Sequence, residues 1–223
     1  MGLTLIAPET LRFDHRGLIP VVVQDAVSGE VLMVAWANAE ALDRTAETGE
    51  MVFFSRSRGE LWHKGETSGH RMTVRELRRD CDGDTVLALV DPQGPACHTG
   101  ETSCFHRPLS QERTADPAFL GRLWRFLRER RNASPETSYT ARLLASGLSR
   151  VAQKVGEEGV ETALAVALGK KEEAIFEGSD LLYHLLVALV ALDIPLDALW
   201  NELASRHHAA ASAPASATET SPR

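Results

Sequence analysis

Short apolar runs divided by turn residues fill the first half of the chain. Val21–Val23, Val31–Val34, Met51–Phe54 and Val86–Val90 have the length and β-branched content of strands. Between them, 38–48 has helical spacing, with Asn38 placed as N-cap and Gly49 just past the end. Near residue 112 the texture changes. From there apolar residues recur three and four apart, predicting helices over Phe119–Arg130, Tyr139–Leu168 (closed by Gly169), Glu172–Leu192 and Pro195–Ser205. The pattern predicts two domains, a β-rich α+β domain at 1–112 and an all-α helical bundle at 113–208. The polar, proline-bearing segment His106–Pro117 reads as the linker, and the Ala/Ser/Thr/Pro-rich end, 209–223, is expected to be disordered.

A length of 223 residues suits two small domains, and 43% hydrophobic with 25% charged residues is ordinary globular composition. Net charge −7 and pI about 5.6 argue against nucleic acid as partner, because phosphate backbones recruit Lys and Arg. A polyphosphate substrate would then need metal ions or local cations. No run of eighteen apolar residues exists, so no membrane span is expected. The first residues lack a basic, apolar leader. With three cysteines and no export signal, thiols or metal ligands are favoured over disulfides, and the expected compartment is cytoplasmic.

Two clusters in the first half carry chemistry. Cys81, Cys97 and Cys104 could supply three thiolates and leave one position open, as in a catalytic zinc site that lowers the pKa of bound water to about 7. Their spacing matches no common zinc finger, and inert buried thiols are the alternative. Asp80, Asp82 and Asp84 would share one face of an extended segment and suit magnesium, while Asp82-Gly83 is also a hairpin signal; the two readings are compatible. His98, beside Cys97, is a candidate acid/base or a plain surface histidine. Between His63 and His70, the stretch Lys64–Gly69 offers a cation, hydroxyls and glycines that could hold a phosphate, or is simply a turn.

In the second half, Glu157, Glu158 and Glu161 share a helix face, as do Glu177 and Asp180 on the next helix. An antiparallel pairing would bring the two groups together, where their mutual repulsion calls for a cation such as magnesium. A solvated acidic face is the alternative. Gly156 and Gly159 inside the helix each cost ~1 kcal/mol relative to Ala, which counts against a purely structural segment.

Residues 17–105 closely resemble phosphoribosyl-AMP cyclohydrolase, through Gly17–Asp25, Val31–Asn38, Ser55–Arg58, Leu61–Gly69, Asp80–Asp84 and Gly94–Phe105. The resemblance implies zinc on Cys81, Cys97 and Cys104 and magnesium on Asp80, Asp82 and Asp84. It further implies a homodimer whose zinc site takes Cys81 from one subunit and the other two cysteines from its partner. Substrate contacts carried over are Trp36, Asn38, Ser55, Arg56, Ser57, Arg58, Trp62, Lys64, Gly65, Glu66, Ser68 and Gly69. Met72 stands where that family usually has Gln, so no contact is assigned there.

Residues 119–208 resemble phosphoribosyl-ATP pyrophosphohydrolase, an all-α nucleotide pyrophosphatase with a Glu-Glu-x-x-Glu…Glu-x-x-Asp pattern. Ser138–Thr140, Lys154–Glu158 and Asp180–His184 match that family. By this resemblance Glu157, Glu158, Glu161, Glu177 and Asp180 hold magnesium, Glu158 and Glu161 activate water, and Lys154 contacts substrate. Together the resemblances imply two hydrolyses of histidine biosynthesis. Phosphoribosyl-ATP gives phosphoribosyl-AMP and pyrophosphate, and the adenine ring of phosphoribosyl-AMP is then opened to the formimino-carboxamide ribotide. A zinc deaminase is disfavoured, because no Pro-Cys-x-x-Cys occurs. A general nucleoside triphosphate pyrophosphatase joined to a zinc-stapled dimerisation module is the alternative.

Overall fold

Alternation along β1 (Ile19–Asp25) sends Ile19, Val21, Val23 and Asp25 into the interior and leaves the residues between them half-buried. That strand forms the centre of the first sheet in a computed structural model describing residues 3–5, 8–110 and 116–212, side chains of 208–212 excepted. The order is β2 (Val31–Ala37), β1, β6 (Val86–Pro92), β5 (Met72–Arg79). Two antiparallel pairs, β1–β2 and β5–β6, are joined by a parallel β1–β6 seam, with Val21 opposite Val86. A two-stranded antiparallel sheet, β3 (Val52–Ser55) with β4 (Glu60–His63), and α1 (Ala39–Thr48) complete the unit.

Helix α1 is capped as its sequence predicts. Asn38 Oδ1 accepts from Ala41 N–H at 2.8 Å, and Gly49 takes the left-handed conformation at φ 71°. Buried Thr45 joins α1 to β3 by accepting from Val52 N–H at 3.0 Å. The core holds Ile19, Leu32, Met51, Phe53, Met72 and Val90, each fully or almost fully buried. Each such side chain contributes about 1.5–3 kcal/mol by burial.

Strands β4 and β5 were not among the predicted elements. β5 reads Met72-Thr-Val-Arg-Glu-Leu-Arg-Arg, so its apolar alternation is lost after Val74, where a bulge shifts the register. Its first residues also bond to 49–51 on the outer side, with Val74 N–H donating to Gly49 O at 2.8 Å, while the charged residues beyond the bulge lie on the sheet edge. Of the two readings of the aspartates, the Asp82-Gly83 hairpin holds and the extended segment does not. They lie in the turn between β5 and β6, with Gly83 at φ 80°.

The chain divides into two compact units, 1–120 and 121–223. The second is helical: α2 (Phe119–Arg130), α3 (Tyr139–Ala145), α4 (Leu148–Ala167), α5 (Lys171–Ala191) and α6 (Leu196–Ser212). The single helix expected over Tyr139–Leu168 is two, because Ser146-Gly147 interrupts it with Gly147 at φ 91°. Gly169, at φ 67°, closes α4 as expected. α4 and α5 run antiparallel, with Glu158 near His184 and Gly159 against Leu181. α6 continues to Ser212, past the Ser205 end predicted for it and into the expected disordered tail. Its Ala209–Ala211 run has high helix propensity, while 213–223, like 111–115 of the linker, lie outside the described residues.

Among the described helices, α5 alone is long and apolar enough to cross a membrane by length and composition. It carries Glu177, Asp180 and His184 and lies along α4.

Candidate functional site

A tight turn shapes the cysteine loop. Cys97 N–H donates to Glu101 O, Gly100 N–H to Cys97 O, and Ala96 N–H to Thr102 O, all at 3.1 Å. Edge strand β2 anchors the far side, with Cys104 N–H donating to Leu32 O at 2.8 Å and Ser103 Oγ to Val31 O at 2.7 Å. The thiols of Cys97 and Cys104 thereby come within interaction distance. Thr99 Oγ donates to Cys97 Sγ at 3.1 Å, and this bond with the Thr99 backbone N–H holds the Cys97 thiol below its ordinary pKa. Desolvation and the neighbouring Cys97 push Cys104 up. His98 is exposed, its Nδ1 4.0 Å from Cys97 Sγ. Two soft sulfur donors with open directions fit zinc. Cys81 does not join them within one chain: it sits exposed in the aspartate turn, and the only groups of three metal-ligating side chains among the described residues are carboxylates.

One of those groups is Asp80, Asp82 and Asp84, all exposed, with ligand oxygens within 4.8 Å of one another. The turn that gathers them is fastened to the start of the chain by Arg12 N–H, which donates to Gly83 O at 2.7 Å. Asp80 Oδ1 accepts from Gly83 N–H at 2.9 Å and Thr85 N–H at 3.2 Å. Three oxygens on an open surface suit a hard cation that keeps part of its water.

The carried-over substrate residues fall into separate groups. Arg56 places its guanidinium over the Trp36 ring, 4.6 Å from the centroid. Ser55, Ser57 and Arg58 bond among themselves and to Glu60 on the β3–β4 turn. Trp62 packs on Phe53. Asn38 is committed to its cap. Glu66, Ser68 and Gly69 are exposed, but Lys64 and Gly65 are buried, and Lys64 Nζ donates to Ala96 O at 3.1 Å. Met72 belongs to the hydrophobic core.

In the helical unit, Glu158, Glu161 and Glu177 bring ligand oxygens within 4.8 Å across the α4–α5 pair. Glu158 is only 4% exposed; Lys154 Nζ lies 2.5 Å from it and 3.0 Å from Glu157. These carboxylates hold Lys154 protonated well above its usual range, and Lys154 holds Glu157 below its own. Glu177 moves the opposite way, raised by desolvation and then by Glu161, Glu158 and Asp180, so a cation is favoured there. Asp180 lies one turn beyond Glu177, its carbonyl 2.8 Å from His184 Nδ1. A carbonyl only accepts, so Nδ1 carries a proton and, in the neutral ring, Nε2 accepts from Tyr139 OH at 3.1 Å.

Tyr139 and His184 had no role in the sequence reading, although both lie in matching stretches. Glu50 was missed outright; it pairs with His63 Nε2 at 2.8 Å and with Arg71, bracing both ends of the 64–70 loop. A lone Glu before a strand gives no pattern to read. A cavity of about 350 Å3, lined by Leu3, Leu5, Leu11, Leu42, Leu77 and Arg79 among others, contains none of the predicted site residues.

A family model described as phosphoribosyl-AMP cyclohydrolase matches residues 33–106, and one described as phosphoribosyl-ATP pyrophosphohydrolase matches 120–207. The chain is 53% identical over 191 residues to the histidine biosynthesis bifunctional protein HisIE of Escherichia coli O6:H1, covering 86% of this chain and 92% of that one. To the protein of the same name from Escherichia coli strain K12 it is 52% identical over the same shares. To that of Campylobacter jejuni it is 49% identical over 192 residues, 86% of this chain and 91% of the relative.

Proposed function

The chain belongs to the family of bifunctional histidine biosynthesis proteins, and on that premise we propose that it performs both hydrolyses itself, one in each unit. The helical unit, 113–208 and in our reading a bundle, cleaves phosphoribosyl-ATP to phosphoribosyl-AMP and pyrophosphate. The β-rich unit, 1–112, opens the adenine ring of phosphoribosyl-AMP. The observation that carries the reading is the separate gathering of soft and hard donors: thiols Cys97 and Cys104 in one loop, carboxylates Asp80, Asp82 and Asp84 in a turn, and Glu158, Glu161 and Glu177 between two helices.

In the helical unit, Glu157, Glu158, Glu161, Glu177 and Asp180 would hold magnesium, which when bound neutralises the triphosphate and orients water. Lys154 pairs with buried Glu158 and fixes its direction. Glu158 and Glu161 accept the proton of the attacking water. Tyr139 and His184 hold the α5 side of the site in register with α3.

In the β-rich unit, Cys97 and Cys104 with Cys81 of a second copy would hold zinc, which when bound lowers the pKa of a water to about 7. That Cys81 does not gather with this pair within one chain favours a zinc site shared in a homodimer. Exposed Val160, Leu164, Ile175 and Phe176 along α4 and α5 give the helical unit an apolar surface to bury in such a dimer. Exposed His98 is free to pass a proton to or from the ring. Asp80, Asp82 and Asp84 would hold magnesium for the substrate phosphate. The free thiolates these ligands require suit a cytoplasmic setting.

The test is mass spectrometry of phosphoribosyl-ATP incubated with the protein, zinc and magnesium. Pyrophosphate together with a product one water heavier than phosphoribosyl-AMP is expected. Accumulating phosphoribosyl-AMP would reject the cysteine site, and unchanged phosphoribosyl-ATP would reject the helical one. Faster turnover of ordinary nucleoside triphosphates would favour the general pyrophosphatase.

A further inference from the structure

Lysine is scarce in this chain. Of its 24 basic side chains only Lys64, Lys154, Lys170 and Lys171 are lysines, so the first 153 residues hold a single one. That one is 6% exposed. Buried lysines are rare unless paired, and a phosphate-gripping lysine would be expected in the open, where its loop neighbours Glu66, Ser68 and Gly69 are.

The surroundings of Lys64 explain its burial. Its Nζ donates to the carbonyl of Ala96, the residue before Cys97, at 3.1 Å. The loop after it is locked to the same strip of chain. Gly65, at φ 85°, lies so close to the His70–Arg71 backbone that a Cβ would sit 2.5 Å from His70 C. The His70 ring presses on Gly94, where a Cβ would come within 2.6 Å of it. Gln93 N–H donates to Arg71 O at 2.8 Å. Residues 64–71 and 93–97 therefore move as one piece, and the ammonium is built into its centre. Burial pushes the Lys64 ammonium below its ordinary pKa, while the sulfurs of Cys104 and Cys97 work against that shift.

We propose that Lys64 is a positioning residue of the cysteine site: its ammonium fixes the Ala96 carbonyl, and through it Cys97, and supplies the positive charge a three-thiolate zinc centre lacks. Three thiolates around a divalent ion leave one net negative charge, which in a poorly solvated loop needs a partner. An ammonium is a compact point charge and a guanidinium a planar fork, so arginine is no conservative replacement at this buried position. The proposal rests on the zinc reading above.

The test is zinc affinity of the full-length chain, by competition with a chromophoric chelator, alongside kcat and KM for phosphoribosyl-AMP. Outer-shell partners of a metal site are worth about 10–100-fold in affinity. Lys64→Met should weaken zinc binding by about that factor, with KM unchanged. Lys64→Gln keeps a donor for Ala96 without the charge and should fall between. Zinc affinity unchanged in both variants, with a raised KM, overturns the proposal in favour of phosphate contact. A wild-type chain that binds no zinc sinks the zinc reading itself and this inference with it. The wild-type chain also gives a readout independent of how the variants fold. Acylation of Lys64, followed by peptide mass, should be slowed by zinc and unaffected by phosphoribosyl-AMP. Protection by the nucleotide and not by zinc overturns the proposal.

Discussion

Replacing Gly83 by Ala should cost the β-rich unit more than the same change at Gly17. The two glycines have similar backbone angles, φ 80° and 71°, so each alanine incurs about 1–2 kcal/mol for the left-handed conformation. They differ in what the new methyl meets. At Gly17 nothing lies within 4 Å, whereas at Gly83 the Thr10 carbonyl oxygen would be 2.4 Å away. Backbone cannot swing aside like a side chain. The turn must pull off the 8–12 segment, and the Arg12 N–H bond to Gly83 O is lost, about 1 kcal/mol more. Gly83→Ala should therefore lose about 2–3 kcal/mol and Gly17→Ala about 1–2. At about 4 °C per kcal/mol for a unit of this size, that is a Tm drop of about 10 °C against about 5 °C. Scanning calorimetry of the whole chain would resolve the transition of this unit from that of the helical one. Because Asp80 Oδ1 accepts from Gly83 N–H, ring opening by Gly83→Ala should also need more magnesium. Equal losses at the two positions, with an unchanged magnesium requirement, would refute the idea that the N-terminal segment holds the aspartate turn in shape.

Glu158→Gln should cut pyrophosphate release from phosphoribosyl-ATP by at least ~100-fold and leave ring opening of phosphoribosyl-AMP intact; parallel loss of both rates would show that the two sites are not separate. Chains carrying Cys81→Ser and chains carrying Cys97→Ser should each be inactive in ring opening and regain activity when unfolded and refolded together, as a shared zinc site requires; failure of the mixture under conditions that refold the wild type counts against sharing. The Glu50 carboxyl is held below its ordinary value, chiefly by Arg71. Its stabilisation is fully present above the unfolded pKa, about 4.5, and is lost as pH falls through the lower folded value. Urea unfolding from pH 6 to 3 should thus show a shallower fall for Glu50→Gln than for the wild type, and identical slopes would contradict this.

Much of the fold was legible because it follows periods. The β1 and β6 runs, the Asn38 cap and the Gly49 and Gly169 stops are local features, and the structure places them where the pattern does. What escaped depended on distant partners. β5 is a strand because β6 lies beside it, although half its residues are charged. Ser146-Gly147 breaks a helix whose apolar spacing runs straight through. At the sites, the carboxylates of α4 and α5 meet as helical spacing foretold, whereas the three aspartates are gathered by a turn and not by strand alternation. Lys64 looked like a loop cation because burial leaves no mark on its neighbours in sequence. Glu50 gave no signal at all, since its partners stand 13 and 21 residues away.

The parallel seam between β1 and β6 bears on how the chain reaches this state. β5–β6 closes through a turn of six residues, while Val21 must find Val86 sixty-five residues on. The longer closure costs about 2 kcal/mol more in chain entropy. On a ribosome, β1 and β2 emerge as a hairpin with one apolar face uncovered and wait for β6 before that face can be sealed. The α4–α5 pair needs only a three-residue connection and no such wait. Refolding should accordingly proceed in two phases, helices first and sheet second, and the interval between them is when the β-rich half is most open to aggregation or to chaperone capture.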